Sequence, residues 1–182
     1  MRSGGGKQKG ASFERDTCRR LSLWVSHGKR EDLFWRSAMS GGRATIGNKR
    51  GINLAAQAGD ISSVDKAGHV LTCDFYIETK HVKYIGLDTF IIKNSGPLAK
   101  YWKTTYREAS NYEKFPILII RQNRLPTLLL CGIGNRELFH NIRLSDRKKY
   151  KAKIYLSKSL DCELWLFDDI LNTPFNYAEP ML

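Results

Sequence analysis

The residues of this chain that could do chemistry are an aspartate, a glutamate and a lysine within residues 59–80. Glu78 and Lys80 stand two residues apart in V-L-T-C-D-F-Y-I-E-T-K-H, residues 70–81, so in an extended chain both side chains project to the same side. Asp60 follows Gly59 at the end of a glycine-rich segment. Carboxylates bind hard divalent cations, and a lysine beside the cation can orient or help deprotonate a water. The set is suited to hydrolysing a phosphodiester, which needs an activated water and neutralisation of phosphate charge.

The stretch over residues 70–81 predicts a strand, because its side chains alternate in character with a period of two. One face carries Leu71, Cys73, Phe75 and Ile77, and the other carries Asp74, Tyr76, Glu78 and Lys80. Residues 59–64 predict a second strand, and Asp65–Gly68 has the composition of a turn. The resulting hairpin would bring Asp60 towards Glu78, with a bulge or stagger because the two residues are not equally far from the turn.

Other acidic and polar residues could take part in this site. Asp65 or Asp74 could compete with Asp60 as a ligand, although Asp74 lies about 13 Å from Glu78 along a strand, too far to bind the same cation. Gln122, at the end of a predicted strand, could be an accessory polar group. His81 should point to the face opposite Lys80, which favours a structural role. Asp168 and Asp169 are adjacent and therefore diverge, so an acidic cap on a surface element is favoured over a metal pair.

The remaining elements are predicted from helical and apolar periodicity. A helix is expected over residues 11–27, with Ser12 as N-cap and Gly28 at its end. Glu14 lies beside its apolar stripe and could face the sheet, but taken alone an exposed first-turn carboxylate favoured by the helix dipole is the stronger interpretation. Further predictions are a strand over 32–37, a helix over 96–114, strands over 116–121 and 126–131, a short helix over 136–143 and a strand over 152–156.

Composition narrows the class of protein. The chain has 182 residues, 42% of them hydrophobic, which is enough for one domain with a core. Its net charge of +12 favours a polyanionic partner, nucleic acid first and an anionic membrane second, over a basic protein that binds neither. The four scattered cysteines argue against a zinc site or a disulfide framework. No apolar run approaches a membrane span, and no secretory signal is visible, so a cytoplasmic protein without a membrane partner is expected.

Basic residues that could contact nucleic-acid phosphates occur along much of the chain. The segment 38–59 holds five glycines together with cations, and we interpret it as a nucleic-acid-contacting loop, with a plain surface loop as the alternative. The cations of the predicted helices could equally belong to a solvated face. The candidate set is Lys9, Arg15, Arg36, Arg43, Lys49, Arg50, Lys100, Lys103 and Arg107.

The order of these motifs resembles the PD-(D/E)XK nuclease superfamily, and within it the branch of phage and archaeal Holliday-junction-resolvase-like nucleases. The resemblance rests on K-G-A-S-F-E-R at residues 9–15, R-S-A-M-S-G-G at 36–42, Gly59-Asp60, and I-E-T-K at 77–80, and it covers roughly residues 9–125. Gly59 stands where the superfamily usually has a proline, and the interval between Asp60 and Glu78 is longer than in compact resolvases.

The resemblance implies a fold and a set of roles. The fold would be α/β, a restriction-endonuclease-like αβββαβ core with a mixed central sheet flanked by helices. Asp60 and Glu78 would ligate Mg²⁺ or Mn²⁺ with help from the backbone carbonyl of Thr79, and Lys80 would position the attacking water. Glu14 would hold a second cation or a water bound to the first. We divide the chain into a flexible basic arm over residues 1–10, a nuclease core over 11–132 and a basic C-terminal extension over 133–182 packed on the core.

The predicted function is therefore a metal-dependent deoxyribonuclease with DNA as its partner and no small-molecule cofactor. By resemblance it could act on branched DNA, form a homodimer and, if encoded by a phage, work in the host cytoplasm. Restriction-type cleavage and single-strand nicking stay open. The competing prediction is a non-catalytic DNA- or RNA-binding module that uses the same fold.

Overall fold

A computed structural model describes residues 5–37, 58–133 and 155–175 of the 182-residue chain. The described helices are α1 Gly5–Val25, α2 Lys66–Thr72, α3 Leu87–Lys93, α4 Gly96–Ser110 and α5 Phe167–Leu171. The described strands are β1 Phe34–Arg36, β2 Ile61–Ser63, β3 Phe75–Val82, β4 Phe115–Gln122, β5 Leu128–Cys131, β6 Tyr155–Ser157 and β7 Cys162–Leu166.

Five of these strands form a mixed sheet in the order β3-β4-β5-β7-β6. β3 and β4 run parallel, and the other neighbouring pairs are antiparallel. Parallel neighbours need a crossover connection, which α3 and α4 supply between β3 and β4. β1 and β2 form a separate two-stranded antiparallel sheet. The predicted mixed α/β architecture, with the chain order of a restriction-endonuclease-like core, is confirmed.

Helices cover both faces of the mixed sheet, and β4 shows why. Ile117 and Ile119 join a core cluster with residues of α1 on one face. Leu118 and Ile120 join a second cluster with α4, including Trp102, on the other. A strand buried on both sides reads as a continuous apolar run, as predicted for residues 116–121. The site residues must therefore lie at the sheet edge, where no described strand lies on the other side of β3.

The predicted hairpin between residues 59–64 and the central strand is wrong. Residues 66–72 form α2 instead, and β3 begins only at Phe75. Asp65 caps α2, because its carboxylate accepts a hydrogen bond from the backbone N–H of Ala67 at 2.9 Å. Gly68, Leu71 and Thr72 are buried at helical spacing. The alternation of side-chain character over residues 70–74 therefore belongs to the end of a helix and the turn after it, and does not mark a strand. β2 pairs with β1 rather than with β3.

Several element boundaries also differ from prediction. α1 begins at Gly5, so Ser12 lies inside the helix rather than capping it, and residues 5–10 are helical instead of a flexible arm. α4 ends at Ser110, and α3 precedes it without having been predicted. The strands predicted over residues 32–37 and 126–131 are shorter in the structure, as β1 and β5. The strand predicted over residues 116–121 is slightly longer, as β4. The proposed division of the chain into domains stays a prediction.

The C-terminal region contributes directly to the sheet. β7 pairs with β5 on one side and with β6 on the other, and α5 packs Phe167 and Ile170 into the cluster that contains α1. Asp168 and Asp169 lie in the first turn of α5, as expected for an acidic cap. The predicted helix over residues 136–143 lies outside the described residues, as does most of the predicted strand over 152–156. No described helix combines the length and apolar character needed to cross a membrane.

Candidate active site

Asp60 is placed against β3 by the backbone rather than by a hairpin. Its N–H donates to the carbonyl of Ile77 at 2.9 Å. Gly59 has φ +88°, and a Cβ there would stand 2.7 Å from the carbonyl oxygen of Ile77, so only glycine allows this approach. The Asp60 carboxylate then accepts from the backbone N–H of Thr79 at 2.9 Å and from the Thr79 hydroxyl at 3.2 Å. Asp60 is buried, at 8% exposure, beside the predicted E-x-K motif.

Glu78 and Lys80 project from the same face of β3, as their spacing predicted. Lys80 Nζ donates to Glu78 Oε1, and their side chains are 37% and 17% exposed respectively. The Tyr76 hydroxyl lies 3.3 Å from Glu78 Oε2. Both oxygens of Glu78 are therefore engaged, one by an ammonium and one by a phenol.

Glu14 faces inwards from α1. The guanidinium of Arg36, on β1, donates to Glu14 Oε2, and the side chain of Glu14 is only 16% exposed. The interpretation of Glu14 as an exposed first-turn carboxylate is therefore wrong, because α1 begins nine residues earlier and lays this face on β1. Glu14 lies close enough to Asp60 and Lys80 to act on the charge of both.

Burial and mutual repulsion disturb the ionisation of these groups. Burial raises the pKa of Glu78 to about 7, the charge of Asp60 adds to the shift, and Lys80 opposes it. Burial also raises the pKa of Asp60, against the opposing effects of Lys80 and Thr79. Burial alone lowers the pKa of Lys80, but the charges of Glu78, Asp60 and Glu14 outweigh it and raise the pKa. The three carboxylates together carry more negative charge than the neighbouring lysine and arginine neutralise, and this excess is unfavourable where little solvent is present.

A divalent cation fits this donor set. Asp60 and Glu78 offer carboxylate oxygens, and Thr79 lies between Glu78 and Lys80 with its carbonyl as a further oxygen donor. Among the described residues no group of three or more His, Cys, Asp or Glu side chains is arranged as a ready-made cage for a metal. Mg²⁺ does not need one, because it usually keeps several waters and is held by one or two carboxylates together with substrate phosphates.

The candidate phosphate contacts are spread over the described surface. Lys9 and Arg15 are exposed on α1, and Lys100, Lys103 and Arg107 are exposed on α4. Arg36 is different, because its guanidinium is bound to Glu14 and is half-buried. Arg43, Lys49 and Arg50 lie outside the described residues.

Two further residues that adjoin the site, Tyr76 and Glu108, were not among the residues predicted for it. The Tyr76 hydroxyl is 3.3 Å from Glu108 Oε2, on α4, as well as from Glu78. The position of Tyr76 on the polar face of β3 was a signal that could have found it, whereas nothing in the sequence places α4 beside β3. Burial raises the pKa of the Tyr76 phenol far above its usual range, with Glu78 and Glu108 adding to the effect, so it stays a hydrogen-bond donor.

Gln122 and His81 have structural partners. Gln122 Oε1 accepts a hydrogen bond from the backbone N–H of Ile85 at 2.8 Å, which fixes the chain after β3. This contact does not support the accessory role at the site that was predicted for Gln122. His81 packs its ring on Phe13, with centroids 5.6 Å apart, and its Nε2 lies 3.0 Å from Asn123 Oδ1. This agrees with the structural role expected for His81.

A comparison with protein families places this geometry in context. The family model described as "Phage putative PDDEXK endonuclease" matches residues 5–171, a range that includes α1, both sheets and α5. No curated protein and no solved structure was found to match the chain.

Proposed function

The chain belongs to this family of phage PDDEXK endonucleases, and from that premise we propose that it is a divalent-cation-dependent deoxyribonuclease whose catalytic residues are Asp60, Glu78 and Lys80, with Glu14 beside them. Membership makes it a PD-(D/E)XK nuclease. The observation that carries the assignment of residues is the convergence of these buried and half-buried charged groups on one edge of β3.

We assign the cation to Asp60, Glu78 and the carbonyl of Thr79, as Mg²⁺ or Mn²⁺. When bound, it supplies the positive charge that stabilises the phosphate and the leaving oxygen. The charge of Glu14 acts on Asp60, and Glu14 is the candidate for holding a second cation or an ordered water.

Lys80 has the contacts of a group that positions a water. Its ammonium is held by Glu78, and its raised pKa keeps it protonated at neutral pH. A protonated lysine donates hydrogen bonds and so orients a nucleophilic water and stabilises developing negative charge, rather than accepting the proton at the outset.

DNA is the expected substrate, because the net charge of +12 favours a polyanion. The exposed cations of α1 and α4 are the described candidates for phosphate contacts. Action on branched DNA, assembly as a homodimer and a location in the host cytoplasm are further parts of the proposal, and they rest on the motif resemblance alone.

A non-catalytic DNA- or RNA-binding module is the second candidate, and one observation favours it. Each carboxylate of the site already has a protein partner: Thr79 for Asp60, Lys80 for Glu78 and Arg36 for Glu14. A site whose carboxylates are engaged by internal hydrogen bonds and ion pairs could hold the fold together without binding a cation.

The deciding experiment incubates the full chain with supercoiled plasmid, linear duplex, single strands and a four-way junction. Each substrate is tested with Mg²⁺, with Mn²⁺ and with a chelator. Glu78→Ala and Lys80→Ala should each lower cleavage by about 10²-fold or more, the scale of losing one charge-stabilising group, while leaving DNA binding largely intact. Glu31→Ala and Lys66→Ala remove exposed charges elsewhere and serve as matched controls.

Each outcome separates the two candidates. Metal-dependent cutting that is lost in the site variants and kept in the controls supports the nuclease, and the preferred substrate then defines its branch. Tight binding without cutting under any metal contradicts the nuclease and supports the binding module.

A further inference from the structure

Tyr76 occupies an unusual position between two carboxylates. Its hydroxyl is 3.3 Å from Glu78 Oε2 and 3.3 Å from Glu108 Oε2. A hydroxyl has one hydrogen and can donate to one acceptor at a time, and an ionised carboxylate has none to give. The two distances are equal and longer than those of a strong hydroxyl–carboxylate bond. The hydroxyl therefore has two alternative acceptors, and the geometry favours neither.

The ring of Tyr76 is fixed, so its hydroxyl stays between them. Tyr76 is 5% exposed and packs with Ala58, Ala109 and Tyr112 in a small apolar cluster. Its ring stacks on that of Tyr112 with centroids 6.0 Å apart and an interplanar angle of 18°. The cluster joins β3 to α4 and to the residue that precedes Gly59.

Glu108 can serve as the second acceptor because it lies at the surface end of this arrangement. Its side chain is 38% exposed and has a long ion pair with Arg107 at 3.8 Å, so solvent compensates its charge when it accepts no hydrogen bond. Glu78 is far less exposed and already accepts from Lys80 through its other oxygen.

We propose that Tyr76 and Glu108 are a positioning pair for Glu78: the Tyr76 hydroxyl holds Glu78 Oε2, and Glu108 accepts that hydrogen bond when Glu78 gives it up. With a cation on Glu78, the positively polarised hydrogen of the hydroxyl would be repelled and would turn to Glu108. Without Glu108, the buried hydroxyl would lose its acceptor at that moment. This inference rests on the proposed function, because it concerns the orientation of a residue assigned to the cation.

The test is a double-mutant cycle with two readouts. One is the Mn²⁺ affinity of the full chain, measured by calorimetric titration, and the other is the Mn²⁺ concentration that gives half-maximal cleavage. Tyr76→Phe keeps the ring and its stack on Tyr112 and removes the hydroxyl. It should change Mn²⁺ binding little, because it removes one hydrogen bond from the empty site, to Glu78, and one from the loaded site, to Glu108. Glu108→Ala should weaken it by about tenfold through the unsatisfied hydroxyl, and should have no further effect in the Tyr76→Phe background.

The matched controls are Tyr84→Phe, which removes an exposed hydroxyl bonded to Asp88 at 3.2 Å, and Glu31→Ala. Both should bind Mn²⁺ as the unaltered chain does. A loss of Mn²⁺ affinity in Tyr76→Phe as large as in Glu108→Ala would overturn the inference, because the hydroxyl would then hold Glu78 in the loaded site as well. Glu108→Ala having the same effect in both backgrounds would also overturn it, because Glu108 would then act on the cation without Tyr76.

The outcomes distinguish this inference from the proposed function. If the unaltered chain binds Mn²⁺ but cuts no DNA, the nuclease proposal fails while the cycle still tests the pair. If it cuts DNA and the cycle shows no coupling, the pair fails and the nuclease stands. If the unaltered chain binds no Mn²⁺, both fail. If Tyr76→Phe does not fold, Glu108→Ala tests the inference by itself, because Glu108 is half-exposed and its replacement should not prevent folding. An unchanged Mn²⁺ affinity in Glu108→Ala would then overturn the inference.

Discussion

At the scale of single residues, the position of Asp60 depends on the glycine that precedes it. Gly59 allows residues 59–60 to lie against β3, and through that approach Asp60 reaches Thr79. The superfamily pattern usually has a proline at this position, yet φ +88° is a value that proline cannot adopt. The backbone that brings Asp60 beside the E-x-K strand in this chain therefore has a conformation that the usual proline would not allow.

We predict that Gly59→Ala destabilises the protein by about 3 kcal/mol or more, because left-handed strain of about 1–2 kcal/mol adds to a clash with the carbonyl of Ile77. Gly28→Ala is the control, since Gly28 has φ +81° but nothing within 4 Å of a Cβ, and it should lose only the strain. Urea unfolding of both variants measures the difference. Equal losses would mean that the close approach to β3 is not needed.

The cysteines give a prediction about reactivity and pH. Cys73 is exposed, whereas Cys18, Cys131 and Cys162 are buried. Burial raises the pKa of Cys18 and of Cys162 to about 12, so these thiols hold almost no reactive thiolate at pH 8. A chromogenic thiol reagent should therefore modify one thiol quickly in the folded protein and all four in denaturant. Cys73→Ser should remove the fast reaction, and a fast phase that persists would contradict the burial of the other three.

At the scale of elements, the site is assembled from segments that are distant in the chain. Glu14 comes from α1, Asp60 from the turn before β2, Glu78 and Lys80 from β3, and Glu108 from α4. β3 gains its rigidity from β4, which is buried on both faces. The sheet continues through β5 into β7, so residues near the C-terminal end of the described chain support the strand next to the site.

We predict that the C-terminal strands are required for the stability of the whole core. Leu164, on β7, is fully buried between α4 and the sheet, and Leu164→Ala should cost about 2–5 kcal/mol. Leu125→Ala is the control, because Leu125 is 37% exposed and should change stability by no more than about 0.5 kcal/mol. Chemical denaturation measures both. A small effect of Leu164→Ala would mean that this region is a loosely packed extension.

At the scale of the whole molecule, charge is divided between a buried acidic centre and an exposed basic surface. The net charge is +12, while three carboxylates converge at the edge of β3. On the proposed function, the basic exterior would attract DNA and the acidic centre would attract a divalent cation, the two ligands that metal-dependent phosphodiester hydrolysis brings together.

We predict that DNA binding weakens steeply with salt, because phosphate contacts by lysine and arginine release counterions. Replacing Lys100, Lys103 and Arg107 together by alanine should lower the slope of log K against log salt by about 3 if each contacts one phosphate. The control replaces three exposed lysines elsewhere, Lys29, Lys66 and Lys158. Fluorescence anisotropy of labelled DNA with chelator present measures the slopes, and an equal loss in both triple variants would mean that α4 is not a specific contact surface.

The sequence by itself determined the features that depend on short spacing. A spacing of two positions places Glu78 and Lys80 on one face of β3, and the apolar run of β4 predicts burial on both sides, because side-chain direction in a strand follows from position alone. The motif order was enough to indicate the superfamily and the mixed α/β fold.

Only the tertiary structure decided what approaches those residues. It replaced the predicted hairpin by α2, turned Glu14 inwards onto Arg36, and set Glu108 of α4 beside Tyr76. These outcomes depend on which helix packs on which face of the sheet. That choice is made by the summed burial of many apolar side chains, and no local pattern of residues carries it.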